Sequence, residues 1–255
     1  MYFTTSYNIK YDLENWKNVV LKPNSIVIRF RKPNSIYAGK TLREIAEEQG
    51  RYWLASEKGY LEQFAKSDII KNLNADSICI DCGANVGKVS EILAKTGAKV
   101  YAFEPNPLCL PQLEETCSRY KNIEIIKKGV AAQTMKCKLY HNDFVQYNKE
   151  IFSQSSSICA SKRNVNTNNY TEIDCIDLCE FINKLGKTIA VLKMDIEGAE
   201  FDILYKMIIE NVYKKIETIL VETHDGTIPE IVEKGKLVRQ LIKERNIKNI
   251  NLDWH

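Results

Sequence analysis

The sequence predicts an α/β protein: a doubly wound, mostly parallel sheet with helices on both faces, preceded by an N-terminal extension. Two observations predict it. The stretch Ser77-Ile-Cys-Ile-Asp-Cys-Gly-Ala-Asn-Val-Gly87 reads as a short buried strand running into a glycine turn and then a helix. From residue 76 onward, strand-length apolar runs alternate with helix-length segments, the pattern of parallel strands joined by crossover helices. The layout expected is an accessory extension over 1–75 and a main domain over 76–255, with an insertion around 131–188.

In the extension, residues 25–31 alternate as a strand between Pro23-Asn24 and Pro33-Asn34. Residues 41–49 and 51–73 read as helices broken near Gly50 and Gly59, with Ser67 or Asp68 capping the last. Tyr52, Trp53, Tyr60 and Phe64 lie along them. They are expected to pack the extension onto the main domain; the alternative is that some line a substrate pocket.

The main domain reads as strand 78–81, helix 87–96, strand 99–104, helix 107–119 and strand 123–127. Pro105 and Pro107 end the second strand and open its helix. About 60 residues then precede the next core strand, far more than the ~2–6 of an ordinary α/β loop. Within them 136–140 reads as a strand, and 171–185 as a strand end and crossover helix. Ser153–Ser157 and Arg163–Asn169 read as polar loops at the carboxyl edge of the sheet, and the segment 153–169 suits a mobile lid that recognises hydroxyl groups and becomes ordered when acceptor binds. Strand 189–195, helix 199–211, strand 216–222, helix 230–245 and a short strand at 250–254 complete the chain.

The glycine turn carries the cofactor reading. Gly83 suits a tight strand-to-helix turn, and Gly87 lets the helix lie close to the strand. A dinucleotide turn would carry a third glycine where Asn85 stands, so a pyrophosphate is not expected here. Asp81, a carboxylate at the strand end, suits a ligand with positive charge, as the sulfonium and amino group of S-adenosylmethionine (SAM) provide. Glu104 follows the turn by about 20 residues, the spacing of a ribose-binding carboxylate. The reading places Asp81, Gly83, Ala84, Asn85 and Gly87 around the methionine part, Glu104 at the ribose and Val130 near the adenine.

A third segment, Ile189-Ala-Val-Leu-Lys-Met-Asp-Ile-Glu-Gly-Ala-Glu-Phe-Asp-Ile-Leu204, closely resembles the hallmark of the FkbM family of methyltransferases. That family pairs a K-x-D-x-E-G-A-E segment with a D-x-G-A-N-x-G turn and an F-E-P segment. Asp81–Gly87, Phe103–Pro105 and Lys193–Glu200 match in that order, and the resemblance spans roughly residues 75–225. It implies a class I methyltransferase-like sheet, SAM as donor, and a hydroxyl acceptor, often on a sugar or secondary metabolite. The usual methyltransferase sheet has seven strands. Too little chain follows helix 230–245 for a full closing hairpin, so the last antiparallel strand is expected to be missing or supplied by the extension.

Methyl transfer to a hydroxyl needs an in-line arrangement and a destination for the proton. The ends of strands 189–195 and 216–222 deliver Asp195, then Glu197 and Glu200, and Glu222, then His224. The catalytic candidates are Asp195, Glu222 and His224. His224 suits a general base because its ordinary pKa lies near 6.5, and FkbM relatives commonly carry a similar E-x-H. The same three residues are the alternative ligand set for Mg²⁺ or Mn²⁺. Glu197 and Glu200 receive no clear role, and His141 and His255 read as structural.

Composition narrows the rest. A net charge of +3, from 36 basic and 33 acidic residues, does not suit bulk nucleic-acid binding. The start Met1-Tyr-Phe-Thr-Thr-Ser lacks a basic and apolar leader, and no apolar run approaches a membrane span, so a cytoplasmic protein is expected. Eight cysteines without zinc-finger spacing read as free thiols. Arg29, Arg31 and Lys32 beside Phe30 could hold the phosphate of a nucleotide-linked saccharide acceptor. Two other classes remain in view: a nucleic-acid methyltransferase, which lacks its N/D-P-P-Y/F/W or Pro-Cys signature here, and a non-catalytic binding subunit. The oligomeric state, including a homo-oligomer, is left open.

Overall fold

The computed structural model describes Tyr2–Thr4, Lys10–Asp12, Trp16–Asn18, Arg29–Arg31 and residues 42–146, 153–162 and 164–254. In the extension, β1 (Tyr2–Thr4) pairs antiparallel with β2 (Lys10–Asp12), and β3 (Trp16–Asn18) with β4 (Arg29–Arg31). Strand β4 coincides with the end of the predicted strand 25–31; residues 25–28 and Lys32 lie outside the described residues.

Helix α1 (Leu42–Lys66) runs through both Gly50 and Gly59, where the sequence suggested breaks. A helical glycine costs about 1 kcal/mol, which weakens a helix without ending it. The packing of Tyr60 and Phe64 holds this one: both rings meet Trp254 edge-on, at 5.7 and 5.9 Å between centroids. The chain breaks instead at Ser67, whose side chain accepts the Ile70 N–H and caps α2 (Asp68–Lys71) as expected.

The core sheet contains β5 (Ile78–Cys82), β6 (Lys99–Phe103), β7 (Ile123–Ile126), β11 (Ile189–Met194), β12 (Ile216–Val221) and β13 (Ile250–Asn251). Their order is β13-β12-β11-β5-β6-β7, and every pair is parallel. Strands buried on both faces explain the near-continuous apolar runs. On one face Ile80, Phe103, Leu192, Met194, Ile219 and Val221 pack with α5 (Leu178–Leu185), α6 (Glu200–Ile209) and α7 (Val232–Glu244). On the other, Cys79, Val100, Val191 and Leu220 meet α1, α2, α3 (Lys88–Ala94) and Trp254. Helix α4 (Leu110–Cys117) packs Leu113 and Cys117 with Ala84 and Ala102.

The closing strand is the two-residue β13, shorter than predicted, because the chain then turns Trp254 inward against Tyr60 and Phe64. No antiparallel strand joins this sheet among the described residues. The four short strands described in the extension pair with one another and not with this sheet.

The long segment before β11 builds a second, three-stranded sheet of order β8-β10-β9 from β8 (Gly129–Ala131), β9 (Met135–His141) and β10 (Asn166–Asp177). The predicted loop 163–169 is strand from Asn166 onward, with a register irregularity before Tyr170. Asp177 then caps α5 by accepting the Glu180 N–H, and Gly186 closes that helix in the left-handed conformation. No helix among the described residues is long and apolar enough to cross a membrane.

Candidate active site

Chain order reverses between β5 and β11. The connections after β5 lead to β6 and β7 on one side, and the chain returns to β11 on the other. Such a switch point opens a crevice at the carboxyl ends of the strands, where α/β sheets bind ligands. Gly83 stands at this point with φ +75°, and a Cβ there would lie 1.8 Å from the Asp195 carbonyl oxygen. The ends of β5 and β11 are therefore in backbone contact, and only glycine fits.

The turn is tied to β6. The N–H groups of Gly83 and Ala84 both bond the Phe103 carbonyl, at 3.0 and 2.9 Å. Asn85 adopts a left-handed φ of 52° and donates its N–H to Glu104 Oε2 at 2.8 Å, while the Asn106 N–H meets Oε1 at 2.8 Å. Burial pushes the Glu104 carboxyl up to about 7, although these two N–H groups favour its charged form. Gly87 has φ +87°, and its absent side chain makes room for Leu113 and Thr116. The close approach it permits is thus between the start of α3 and helix α4, not between helix and strand as the sequence suggested. Val130 lies in β8 opposite Ile176 and is buried in the main core.

Asp81 is wholly enclosed. Its Oδ2 accepts the Ser90 hydroxyl at 2.6 Å, and Lys193 Nζ stands 3.3 Å from Oδ1. Lys193 also donates to the Gly83 carbonyl at 2.8 Å and lies 3.6 Å from Asp195 Oδ2. Burial works against the Lys193 charge, but Asp81 and then Asp195 outweigh it and hold its pKa above the ordinary value. Asp81 Oδ1 and Asn85 Oδ1 are both buried without a hydrogen-bond partner. Lys193 compensates Asp81 Oδ1, which leaves the Asn85 oxygen as the unused acceptor at the glycine turn; it suits a ligand that brings donors, as the amino group of SAM does, so the residues present fit SAM.

Across the switch point, Asp195, Glu222 and His224 converge as the sequence predicted: His224 Nε2 is 3.8 Å from Asp195 Oδ1 and 3.8 Å from Glu222 Oε1. Its nearest partners are the two acids left without a role. Glu197 Oε2 lies 3.1 Å from Nε2, and Glu200 Oε1 lies 2.9 Å from Nδ1. Glu200, fully buried at the start of α6, also accepts the N–H groups of Ile196 and Gly198. It thereby shapes a turn in which Glu197 takes a left-handed φ of 62°. A Cβ on Gly198 would strike Cys159 Sγ at 2.6 Å and Ile228 Cδ1 at 2.8 Å, so this turn takes a glycine.

These carboxylates change the chemistry of His224. Burial alone would lower its pKa, but Glu197, Glu200 and Asp195 raise it to about 10. The carboxylates favour the imidazolium, whereas the free-base reading used the ordinary value near 6.5. Glu222 moves the same way: burial and then Asp195 push its carboxyl up to about 9, so it is protonated.

Asp195, Glu197 and His224 each offer a ligand atom, all within 4.8 Å of one another. Glu222, named for an ion by the sequence reading, is not among these three. An ion here would have to displace the His224 proton and compete with Lys162, whose ammonium already pairs with Glu197.

Lys162 belongs to the segment predicted as a mobile lid. Ser153, Ser155, Ser156 and Ser157 are instead buried. Ser156 bonds His141 Nδ1 at 3.0 Å and Asn106 Nδ2 at 3.2 Å, Lys162 holds the Ser155 carbonyl at 2.9 Å, and Ser157 Oγ bonds the Glu197 carbonyl. His141, with Thr171 Oγ1 at 2.8 Å on its other nitrogen, is a structural residue as expected. The hydroxyls expected to meet a substrate are used internally, and the segment is a strut behind Glu197. On the opposite rim, Tyr60 of α1 is half-buried, which pushes its phenol pKa up, and lies close enough to Lys193, Asp195 and Glu222 to feel their charge. The extension therefore both packs on the domain and borders the site.

A parallel doubly wound sheet with a glycine turn at its switch point, a carboxylate on the next strand and an acid cluster across the crevice defines a class I methyltransferase-like protein. The model of the methyltransferase FkbM domain matches residues 81–248, and the chain belongs to that family. It is 26% identical over 189 residues to the hexuronic acid methyltransferase AglP of Haloferax volcanii, covering 72% of this chain and 71% of that one. A shorter match of 54 residues, 41% identical, links it to ribosomal RNA small subunit methyltransferase A of Thermotoga neapolitana. That match spans only about a fifth of either protein, 21% of each. Among solved structures, an rRNA methylase from Streptococcus thermophilus aligns over 68% of this chain and 74% of its own, at 15% identity and a TM-score of 0.35. The family is one of methyltransferases, and it implies SAM as the methyl donor.

Proposed function

We propose that the protein methylates a hydroxyl group of a sugar or similar polyol. The observation that carries this reading is the cluster of Asp195, Glu197, Glu222 and His224 at the ends of β11 and β12, joined to the cofactor turn by the Gly83–Asp195 contact. SAM, when bound, supplies an electrophilic methyl group. Glu104 would meet its ribose, Asp81 and the Gly83–Asn85 turn would flank the methionine part, and Val130 would lie near the adenine. Asp195 is the most exposed acid of the cluster, with 27% of its side chain open against 17% for Glu197 and 25% for Glu222. It accepts or orients the acceptor's proton, while cationic His224 fixes the surrounding carboxylates and Glu222 donates a hydrogen bond. The likeness to a hexuronic acid methyltransferase supports a saccharide acceptor, free or nucleotide-linked.

A second reading keeps Mg²⁺ or Mn²⁺ on Asp195, Glu197 and His224, whose ligand atoms are close enough together. One experiment separates these readings. The protein is incubated with methyl-labelled SAM and, in parallel, hexuronic acids, nucleotide-linked sugars and RNA, with and without chelator, and products are read by mass spectrometry. Label in a saccharide hydroxyl supports the proposal; label in RNA alone overturns it. Chelator-sensitive turnover restored by Mg²⁺ or Mn²⁺ selects the ion. His224→Ala should keep SAM binding and lose most turnover in either case.

A further inference from the structure

Cys137 on β9 and Cys175 on β10 lie on one face of the second sheet, a diagonal apart: Cys137 stands opposite Ile173 and Cys175 opposite Met135. Their sulfurs are 2.8 Å apart. We propose that this pair is a modification site, an internal dithiol that a low-molecular-weight disulfide such as glutathione disulfide converts to a Cys137–Cys175 disulfide.

Three features of the surroundings support it. A disulfide bond is about 2.05 Å long, so the sulfurs need to close by less than about 1 Å. Gly129 stands in register with Cys175 on β8, and a Cβ there would lie 2.7 Å from the Cys175 sulfur. The missing side chain leaves the space that the sulfur occupies. Access is also asymmetric: Cys137 is partly exposed, whereas Cys175 is buried. Cys79, Cys82 and Cys179 are instead sealed in the core, where burial pushes their thiols up and no reagent reaches them.

The partly exposed sulfur reacts first. Its hydrogen bond with the Cys175 sulfur favours a thiolate within the pair, and Cys137 is the member a reagent reaches. That thiolate attacks one sulfur of glutathione disulfide, and one glutathione leaves as a thiolate. Cys175 then gives up its proton and attacks the Cys137 sulfur, expelling the second glutathione. Two protein thiols lose two electrons and two protons, and one glutathione disulfide becomes two molecules of glutathione. The cysteines are 38 positions apart, and the loop they close contains the strut of Ser157 and Lys162 that holds Glu197. The modification therefore ties down the support of the site described above, whichever acceptor that site takes.

The test uses the wild-type chain and needs no acceptor. Protein is equilibrated across glutathione ratios, quenched by alkylation, and read by intact mass and peptide mapping. The expected product is lighter by two hydrogen atoms and joins the peptides of Cys137 and Cys175. It reverts with dithiothreitol and melts about 5 °C or more above the reduced form. Cys175→Ser should stop at a mixed disulfide with glutathione on Cys137. Wild-type protein that stays fully alkylated under oxidising ratios, or stops as a stable mixed disulfide on Cys137, overturns the proposal. Loss of two hydrogens in Cys175→Ser likewise overturns it, because another cysteine would then be the partner.

Discussion

Lys193→Met should cost the fold about 3–5 kcal/mol, the usual penalty for deleting one partner of a buried ion pair. The Lys193 side chain is 4% exposed and that of Asp81 0%. Lys193 Nζ lies 3.3 Å from Asp81 Oδ1, an oxygen without a hydrogen bond, so the ammonium is its compensation. Methionine keeps the apolar stem and its place near the Trp254 ring, which Nζ approaches at 5.6 Å, so the loss is electrostatic rather than a cavity. In a chain of this size about 2–4 °C accompany each kcal/mol, so the melting temperature should fall by roughly 6–20 °C. The double variant Asp81→Asn/Lys193→Met removes both charges and should recover much of that loss, with a coupling above about 1 kcal/mol. Urea titrations of the wild type, both single variants and the double variant measure it. A Lys193→Met cost below about 1 kcal/mol, or additive single costs, would refute the reasoning.

Three further outcomes follow from the same geometry. Gly83→Ala places a Cβ 1.8 Å from the Asp195 carbonyl at φ +75°; it should cost well over the ~1–2 kcal/mol of left-handed strain alone, seen as reduced stability together with weakened SAM binding in calorimetry. Glu104→Ala should weaken SAM binding tenfold or more, about 1.4 kcal/mol or greater, and unchanged affinity in a folded variant would remove Glu104 from the ribose site. The folded pKa of His224, about 10, lies above its ordinary value, so its contribution is complete below about pH 6.5 and is lost as pH rises through the folded value. Glu222, raised to about 9, acts with the same sign. The urea midpoint should therefore fall between pH 7 and 10, and the fall should be shallower in His224→Gln.

Much of the core sheet was legible because its signals are local. Apolar runs of strand length, a glycine turn and prolines at Pro105 and Pro107 each act within a few residues. What stayed hidden depends on distant chain. Nothing near Gly59 announces that Trp254 will hold its helix together. Nothing near Gly87 announces Leu113 and Thr116 as its neighbours. The serines of 153–157 have the composition of a loop, and only the arrival of Asn106, His141 and Lys162 makes them a buried strut.

The acid cluster shows the same limit at the level of charge. Spacing after two neighbouring strands sufficed to bring Asp195, Glu222 and His224 together. It could not give their protonation, which is a property of the group. Glu200 is placed by the two N–H groups it accepts, and Glu197 by a left-handed turn and a lysine 35 positions away. Those two acids, more than Asp195 or Glu222, keep the His224 proton in place. Burial and the neighbouring Asp195 push the Glu222 carboxyl upward and favour its neutral form. A histidine after a strand end suggests a base when read alone; the carboxylates that enclose it favour its charged form, and that charge balance is a property of the fold, not of the spacing.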